Sequence, residues 1–134
     1  MGYISEVLLT IAFETIEQME EVWAIYCIDP KVQATDVAKE WRRDTEGKYP
    51  TLAYYTEGSK WYESYPDVQA FEYMQTLAET FVESRKFKYA WIKFRIGEET
   101  NDIEVDECAS DAGDPLSEYL WERACIVRHI EHSF

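Results

Sequence analysis

The spacing of apolar residues changes period along the chain, and each change marks an element. Residues 3–13 alternate: Val7, Leu9, Ile11 and Phe13 share one face, and Glu6, Thr10 and Glu14 the other. That is the period of a half-buried strand. From Thr15 the period becomes helical. Thr15 stands as N-cap with Gln18 three residues on as its capping-box partner. Ile16, Met19, Val22, Trp23 and Tyr26 form the apolar stripe, and Asp29-Pro30 closes the segment. A shorter helix is expected from Asp36 to Arg43, with Val37, Ala38 and Trp41 inward, and then a loop over 44–50.

The stretch TLAYYTEGSKWYE predicts a short hairpin turning at Glu57-Gly58. SYPDVQAFEYMQTLAETFVES is the clearest helix. Pro66 suits its first turn, and Val68, Phe71, Met74, Leu77, Ala78 and Phe81 line one face. Residues 87–96 alternate again, with Ala90, Ile92, Phe94 and Ile96 toward the core and Tyr89, Trp91, Lys93 and Arg95 away from it. After the turn GEETN, DIEVDE alternates as well. CASDAGDP reads as a loop, and LSEYLWERACIVRHIEH begins ambiguously and ends in a strand near 124–130.

The order is strand, two helices, hairpin, helix and three strands, without an internal repeat or a linker. These elements are too few and too unevenly spaced for a doubly wound parallel sheet. The expected fold is a single α+β domain over 1–134. It has a mostly antiparallel sheet of about five strands and two to three helices packed on one face, ferredoxin-like in outline.

Composition sets limits on function. A chain of 134 residues that is 46% hydrophobic and 16% aromatic can bury a core. Its 27 acidic residues against 13 basic ones give a net charge of −14. Direct nucleic-acid binding, which needs cations for phosphates, is not expected; a protein partner with a basic surface is. Cys27, Cys108 and Cys125 are an odd number without paired spacing, so reduced thiols in a cytoplasmic protein are expected. MGYISEVLLTIAF has no basic n-region and alternates, which reads as a strand and not as a signal peptide. No apolar run approaches the roughly 20 residues of a membrane span, so no membrane partner is expected.

The charge is concentrated late. From Gly97 to Glu122 there are ten acidic residues and no basic one. Same-side residues on a strand are about 6.7 Å apart. Asp102, Glu104 and Asp106 therefore line up on one face, while Ile103 and Val105 point to the core. Glu98 and Glu99 add charge at the turn, and Glu107, Asp111 and Asp114 extend it. Such a row is a coarse counterpart of the phosphates along a DNA strand. A structural reading competes with it. If Ile96 pairs with Ile103, Arg95 falls opposite Glu104 and Lys93 opposite Asp106, and the hairpin neutralises part of its own row.

Catalytic and metal chemistry lack their parts. DIEVDE resembles the start of an EF-hand loop, but Glu107 stands where Gly is required and Gly113 where Glu is required. Cys108, Cys125, His129 and His132 do not have zinc-ligand spacing, and the histidines read as surface groups. There is no nucleophile elbow, P-loop or dinucleotide fingerprint. No enzyme and no cofactor are expected. The aromatic residues Trp61, Tyr62 and Tyr65, with Tyr89 and Trp91 on the face away from the core, are either covered by a second layer or form a homodimer face.

The segments GYISEV, KWYESYPDV (Lys60 to Val68) and FRIGEETNDIE (Phe94 to Glu104) resemble small proteins encoded by tailed bacteriophages. The resemblance carries no catalytic residues with it. It implies an acidic protein made in an infected bacterium, where proteins of this class inhibit host defence or DNA-handling enzymes, several through carboxylate arrays that imitate DNA. The expected function is therefore binding of a host nucleic-acid-binding or defence protein through Glu98, Glu99, Asp102, Glu104 and Asp106, with Glu107, Asp111 and Asp114 at the edge. The alternatives are a structural or assembly protein that self-associates through its aromatic face, and a small enzyme or metal protein.

Overall fold

The structure, a computed structural model, describes residues 5–62, 64–77, 79–80, 88–99, 102–110, 115–126 and 130–134. Its elements are β1 (Ser5–Phe13), α1 (Ile16–Ile28), α2 (Pro30–Gln33), a 3₁₀ turn (Val37–Lys39), β2 (Arg42–Asp44), β3 (Thr51–Ser59), α3 (Pro66–Leu77), β4 (Tyr89–Ile96), β5 (Ile103–Ala109), α4 (Pro115–Arg123), β6 (Ala124–Ile126) and β7 (Ile130–His132). Five strands form an antiparallel sheet in the order β2-β3-β1-β4-β5, and β6 pairs with β7 apart from it. Helix α1 lies between β1 and β2 in the chain, and those strands are separated in the sheet by β3. Helix α3 lies between β3 and β4, which are separated by β1. This is the ferredoxin-like split βαβ order, with β5 added outside β4.

The central strand explains the layering. Val7, Leu9, Ile11 and Phe13 of β1 pack with Met19, Val22 and Tyr26 of α1 and Val68, Phe71 and Met74 of α3. Leu8 and Ala12 point the other way and pack with Ala90, Ile92 and Phe94 of β4 and Leu116, Tyr119 and Leu120 of α4. The expectation of helices on one face is therefore corrected: α4 and the β6–β7 hairpin form a second cover. A sheet apolar on both faces must be covered on both. Of the aromatic residues expected either under a second layer or in a dimer face, Tyr89, Trp91 and Trp61 are covered in the α1/α3 layer, the first two at 0% and 9% exposure, whereas Tyr65 is exposed.

Local chemistry accounts for most boundaries. Thr15 Oγ1 accepts from Gln18 N–H at 3.2 Å, which caps α1 as predicted, but Gln18 Oε1 makes no hydrogen bond among the described residues, so the reciprocal half of the capping box does not form. Asp29 ends α1 and caps α2 through Lys31 N–H at 2.8 Å, with Pro30 in the first turn. Two expectations fail. Residues 36–43 are not a helix: one 3₁₀ turn forms, and Arg42 and Arg43 extend to pair with Ala53 and Leu52. Val37 and Trp41 are nonetheless buried, as expected. Glu57-Gly58 is not a hairpin turn either. Strand β3 runs through it, and Ser5 pairs with Ser59 while Val7 pairs with Thr56, so two residues of β3 face one of β1. Gly58 thus marks a bulge. Ala78 and Phe81, expected on the α3 stripe, lie outside the described residues.

Candidate functional site

The acidic stretch starts at the β4–β5 turn, where Gly97 N–H donates to Asp102 O at 2.8 Å and Asp102 N–H to Glu99 O at 3.1 Å. The register is the one the alternation predicts: Ile96 opposite Ile103, Arg95 opposite Glu104, Lys93 opposite Asp106. Because Gly97 N–H bonds Asp102 O at one end of the ladder and Ser110 N–H bonds Tyr89 O at the other, the alternation between them turns the backbone groups of Glu104, Asp106 and Cys108 toward β4. Ile103, Val105 and Glu107 direct theirs away from it.

The side chains on the α3 side form a chain of ion pairs. Arg95 grips Asp102 with two bonds of 2.8 and 3.2 Å and reaches Glu104 through Nε at 3.0 Å. Lys93 Nζ lies 2.9 Å from Glu104 and 2.8 Å from Glu72 of α3. Lys93 is only 5% exposed. Burial alone would favour its neutral form, but the two carboxylate bonds outweigh this and hold its pKa above the ordinary value. The bonds to Asp102 do the same for Arg95, against a smaller opposing effect of burial. Burial raises the Glu104 carboxyl, yet its bonds to Lys93 and Arg95 prevail and leave it below the usual range.

Asp106 is the exception. It is exposed, and its pKa is raised by partial desolvation and by the hydrogen bond and charge of Glu104. Lys93, opposite it in register, turns diagonally to Glu104 and across the layer to Glu72 instead. Among the described residues, four carboxylates (Glu72, Asp102, Glu104 and Asp106) thus meet two cations on this face of the hairpin.

The expected site is only partly assembled. Asp102, Glu104 and Asp106 share a face, but the first two are inside ion pairs. Glu107 belongs to the opposite face, where it accepts from Trp121 Nε1 of α4 at 2.6 Å. Glu98 and Glu99 are exposed at the turn. Asp111 and Asp114 lie outside the described residues. Ile103 and Val105 do not point into the core: they are 50% and 46% exposed. The cause is position. Strand β5 is the sheet edge, and Trp121, the outermost aromatic of α4, sits over Phe94 of β4 with ring centroids 5.3 Å apart.

Pattern reading missed Glu72 and Trp121. Glu72 follows the stripe residue Phe71, and this flank position next to the sheet was its only signal. Trp121 had none, since α4 itself was not assigned.

Elsewhere several polar side chains tie elements together. Glu6 accepts from the Tyr55 hydroxyl and, at 3.1 Å, from Ile130 N–H, which ties β1 to β7. Arg123 joins α4 to Asp44 of β2 at 3.1 Å. His132 is half-buried and not a loose surface group: its ring packs 4.6 Å from that of Tyr55. Cys27 and Cys108 are free thiols. Among the described residues no three His, Cys, Asp or Glu are grouped so as to hold a metal ion, and no helix is long and apolar enough to cross a membrane. A cleft of about 320 Å³ between α3 and β3 is lined by Tyr54, Tyr65 and Phe71 together with Glu40, Lys60 and Asp67. Comparison with protein-family models, curated proteins and solved structures finds no match to this chain.

Proposed function

We propose that this chain is a non-enzymatic binding protein whose acidic surface engages a protein partner with a basic surface. The carrying observation is the carboxylate surplus that survives internal pairing at the β4–β5 hairpin, where Asp106 is exposed and its pKa is raised by partial desolvation and then by its acidic neighbour Glu104. A partner's Lys or Arg placed there relieves that repulsion, so the contact gains on both sides. The resemblance to tailed-phage proteins names the class of partner: a host nucleic-acid-binding or defence protein, met in the bacterial cytoplasm and inhibited by carboxylates standing in for phosphates.

The internal ion pairs change which residues carry the contact. Asp106 forms its centre, and Glu98 and Glu99, exposed at the turn, flank it. Asp102 and Glu104 hold the hairpin in shape and add field more than direct bonds.

The test is capture from bacterial lysate at about 50 mM salt, followed by elution with salt or with duplex DNA. Basic DNA-binding proteins are expected to release by roughly 0.3 M salt, since exposed charges are screened over about 10 Å already at 0.1 M, and to release with duplex as well. A variant carrying Glu98→Gln, Glu99→Gln and Asp106→Asn should capture them poorly. Capture of the same proteins by wild type and variant alike refutes the reading.

A further inference from the structure

We propose that the outer edge of β5 is a docking groove for an extended protein segment that alternates basic and apolar residues, added as a sixth strand. The inference rests on the reading of this surface as a partner site and specifies its geometry.

Three observations converge on the outer edge of β5. First, among the described residues β5 pairs with β4 alone, and the register turns the N–H and C=O groups of Ile103, Val105 and Glu107 outward. An edge of this kind is a template for another strand. Second, Ile103 and Val105 stand half-exposed on one side of that edge, and Trp121, 40% exposed, lies on the same face of the sheet. Third, Glu104 and Asp106 line the opposite side, where together with Asp102 and Glu72 they set four carboxylates against the two cations Lys93 and Arg95.

The two sides of the edge therefore ask for different residues. A strand paired antiparallel to β5 places the residues opposite Ile103 and Val105 on the apolar side and those opposite Glu104 and Asp106 on the acidic side. Only an alternating apolar and cationic segment satisfies both.

The same pattern argues against a second copy of this chain. Antiparallel self-pairing centred on Val105 sets Glu104 opposite Asp106 twice. Centring on Glu104 or on Asp106 sets that carboxylate opposite itself. Like charges directly opposed across strands are destabilising, so the edge refuses its own kind while remaining open to a cationic strand.

The experiment uses the whole chain and three end-blocked heptapeptides. One alternates Lys or Arg with Val or Ile. The second has the same composition with its basic residues contiguous. The third is the alternating peptide N-methylated on every amide that would face β5. Binding is read by fluorescence anisotropy at low salt and by amide NMR shifts. The alternating peptide is expected to bind at least tenfold more tightly than either control, with the largest shifts at Ile103, Val105 and Glu107. Val105→Lys should weaken it tenfold, and the exposure of this side chain makes the variant compatible with folding. Equal affinity for all three peptides, lowered equally by Asp106→Asn, overturns the strand-addition inference and leaves a diffuse acidic surface in place. Failure of every peptide to bind overturns the inference as well; lysate capture by the acidic surface is then the separate measure of the broader proposal.

Discussion

Two carboxylates two residues apart, Glu104 and Asp106, take opposite shifts: desolvation raises both, and only Glu104 has the hydrogen bonds to Lys93 and Arg95 that overcome it. The consequences for stability have opposite signs. Glu104 has a folded pKa below its unfolded one, so its contribution is complete above the ordinary carboxylate value and is lost as pH falls through the lowered folded value. Asp106 has a raised folded pKa, so its charge opposes folding at neutral pH and ceases to do so in acid. Asp106→Asn is therefore expected to leave stability unchanged or raise it by a few tenths of a kcal/mol at pH 7 once solvent screening is allowed for, with no gain below the ordinary carboxylate range. Glu104→Gln should cost about 1 kcal/mol at pH 7. Urea titrations of both variants at neutral and acid pH check the pair; equal effects of the two substitutions contradict the assignment. His132 gives a second pH signature. Burial lowers its pKa, the charge of Arg42 adds to this and that of Glu6 opposes it. Its Nδ1 accepts Phe134 N–H at 3.3 Å, which requires the unprotonated nitrogen. The folded form favours neutral imidazole, so its contribution is complete above the unfolded value of about 6.5 and fades as pH falls below it. Faster hydrogen exchange at Phe134 as pH drops from 7 to 5, after correction for intrinsic rates, is the expected result, and His132→Gln should abolish the pH dependence.

At the scale of elements, one hydroxyl joins parts that pattern reading treated separately. Tyr26 of α1 is fully buried, donates to Ala70 O of α3 at 2.6 Å and accepts from Trp41 Nε1 at 3.1 Å. Tyr26→Phe keeps the ring and leaves an indole N–H and a helix carbonyl without that partner. A loss of about 1–3 kcal/mol is expected from stranding buried polar groups, read as a lower urea midpoint with unchanged slope; an effect below about 0.5 kcal/mol shows that the three elements are held by ring packing alone. This bond spans 44 residues in one direction and 15 in the other, which is the kind of contact periodicity does not record. What periodicity did record is local. The cap at Thr15, the stripe of α3 and the register of Lys93 and Arg95 against β5 each follow from spacings of two to four residues or from one short turn. The failures are the places where distant partners decide. Arg42 and Arg43 lie in an eight-residue helical pattern too short to hold by itself, and pairing with β3 draws them into a strand. Gly58 is neutral between turn and bulge until β1 runs beside it. The sidedness of the sheet was misread for a similar reason. The odd residues of β1 and the even residues of β4 were both expected in one core, yet Ile11 is paired with Trp91 and Leu8 with Phe94, so these stripes lie on opposite faces. Within the candidate site, Arg95–Glu104 was legible and Glu72–Lys93 was not, since the latter crosses from helix to sheet.

For the molecule as a whole, the decisive quantity is the −14 net charge, and salt is the means of weighing it. Self-repulsion among exposed carboxylates destabilises the compact state, and added salt screens it. Salt also weakens the Lys93 and Arg95 ion pairs, but these side chains are 6% and 17% exposed and are screened less. The two effects therefore do not cancel. Raising ionic strength from 0.01 to 0.15 M shortens the screening length from about 30 to about 8 Å. That is expected to raise the thermal midpoint by several degrees, on the order of what 1 kcal/mol does in a chain of this size. Sodium and tetramethylammonium chloride should act alike if screening is the cause, whereas a gain confined to one cation points to a specific site. Asp106→Asn should reduce the salt response, because the Lys93 charge that acts on Asp106 is already bonded to Glu104 and Glu72. Glu104→Gln should reduce it less, because that charge is already balanced. The same physics sets the sign for binding: salt that stabilises the free chain must weaken a complex formed through its carboxylates, since the partner's cations and the salt relieve one and the same repulsion. A midpoint that falls with salt means that attractive pairs dominate the surface, and it removes the electrostatic motive for a basic partner.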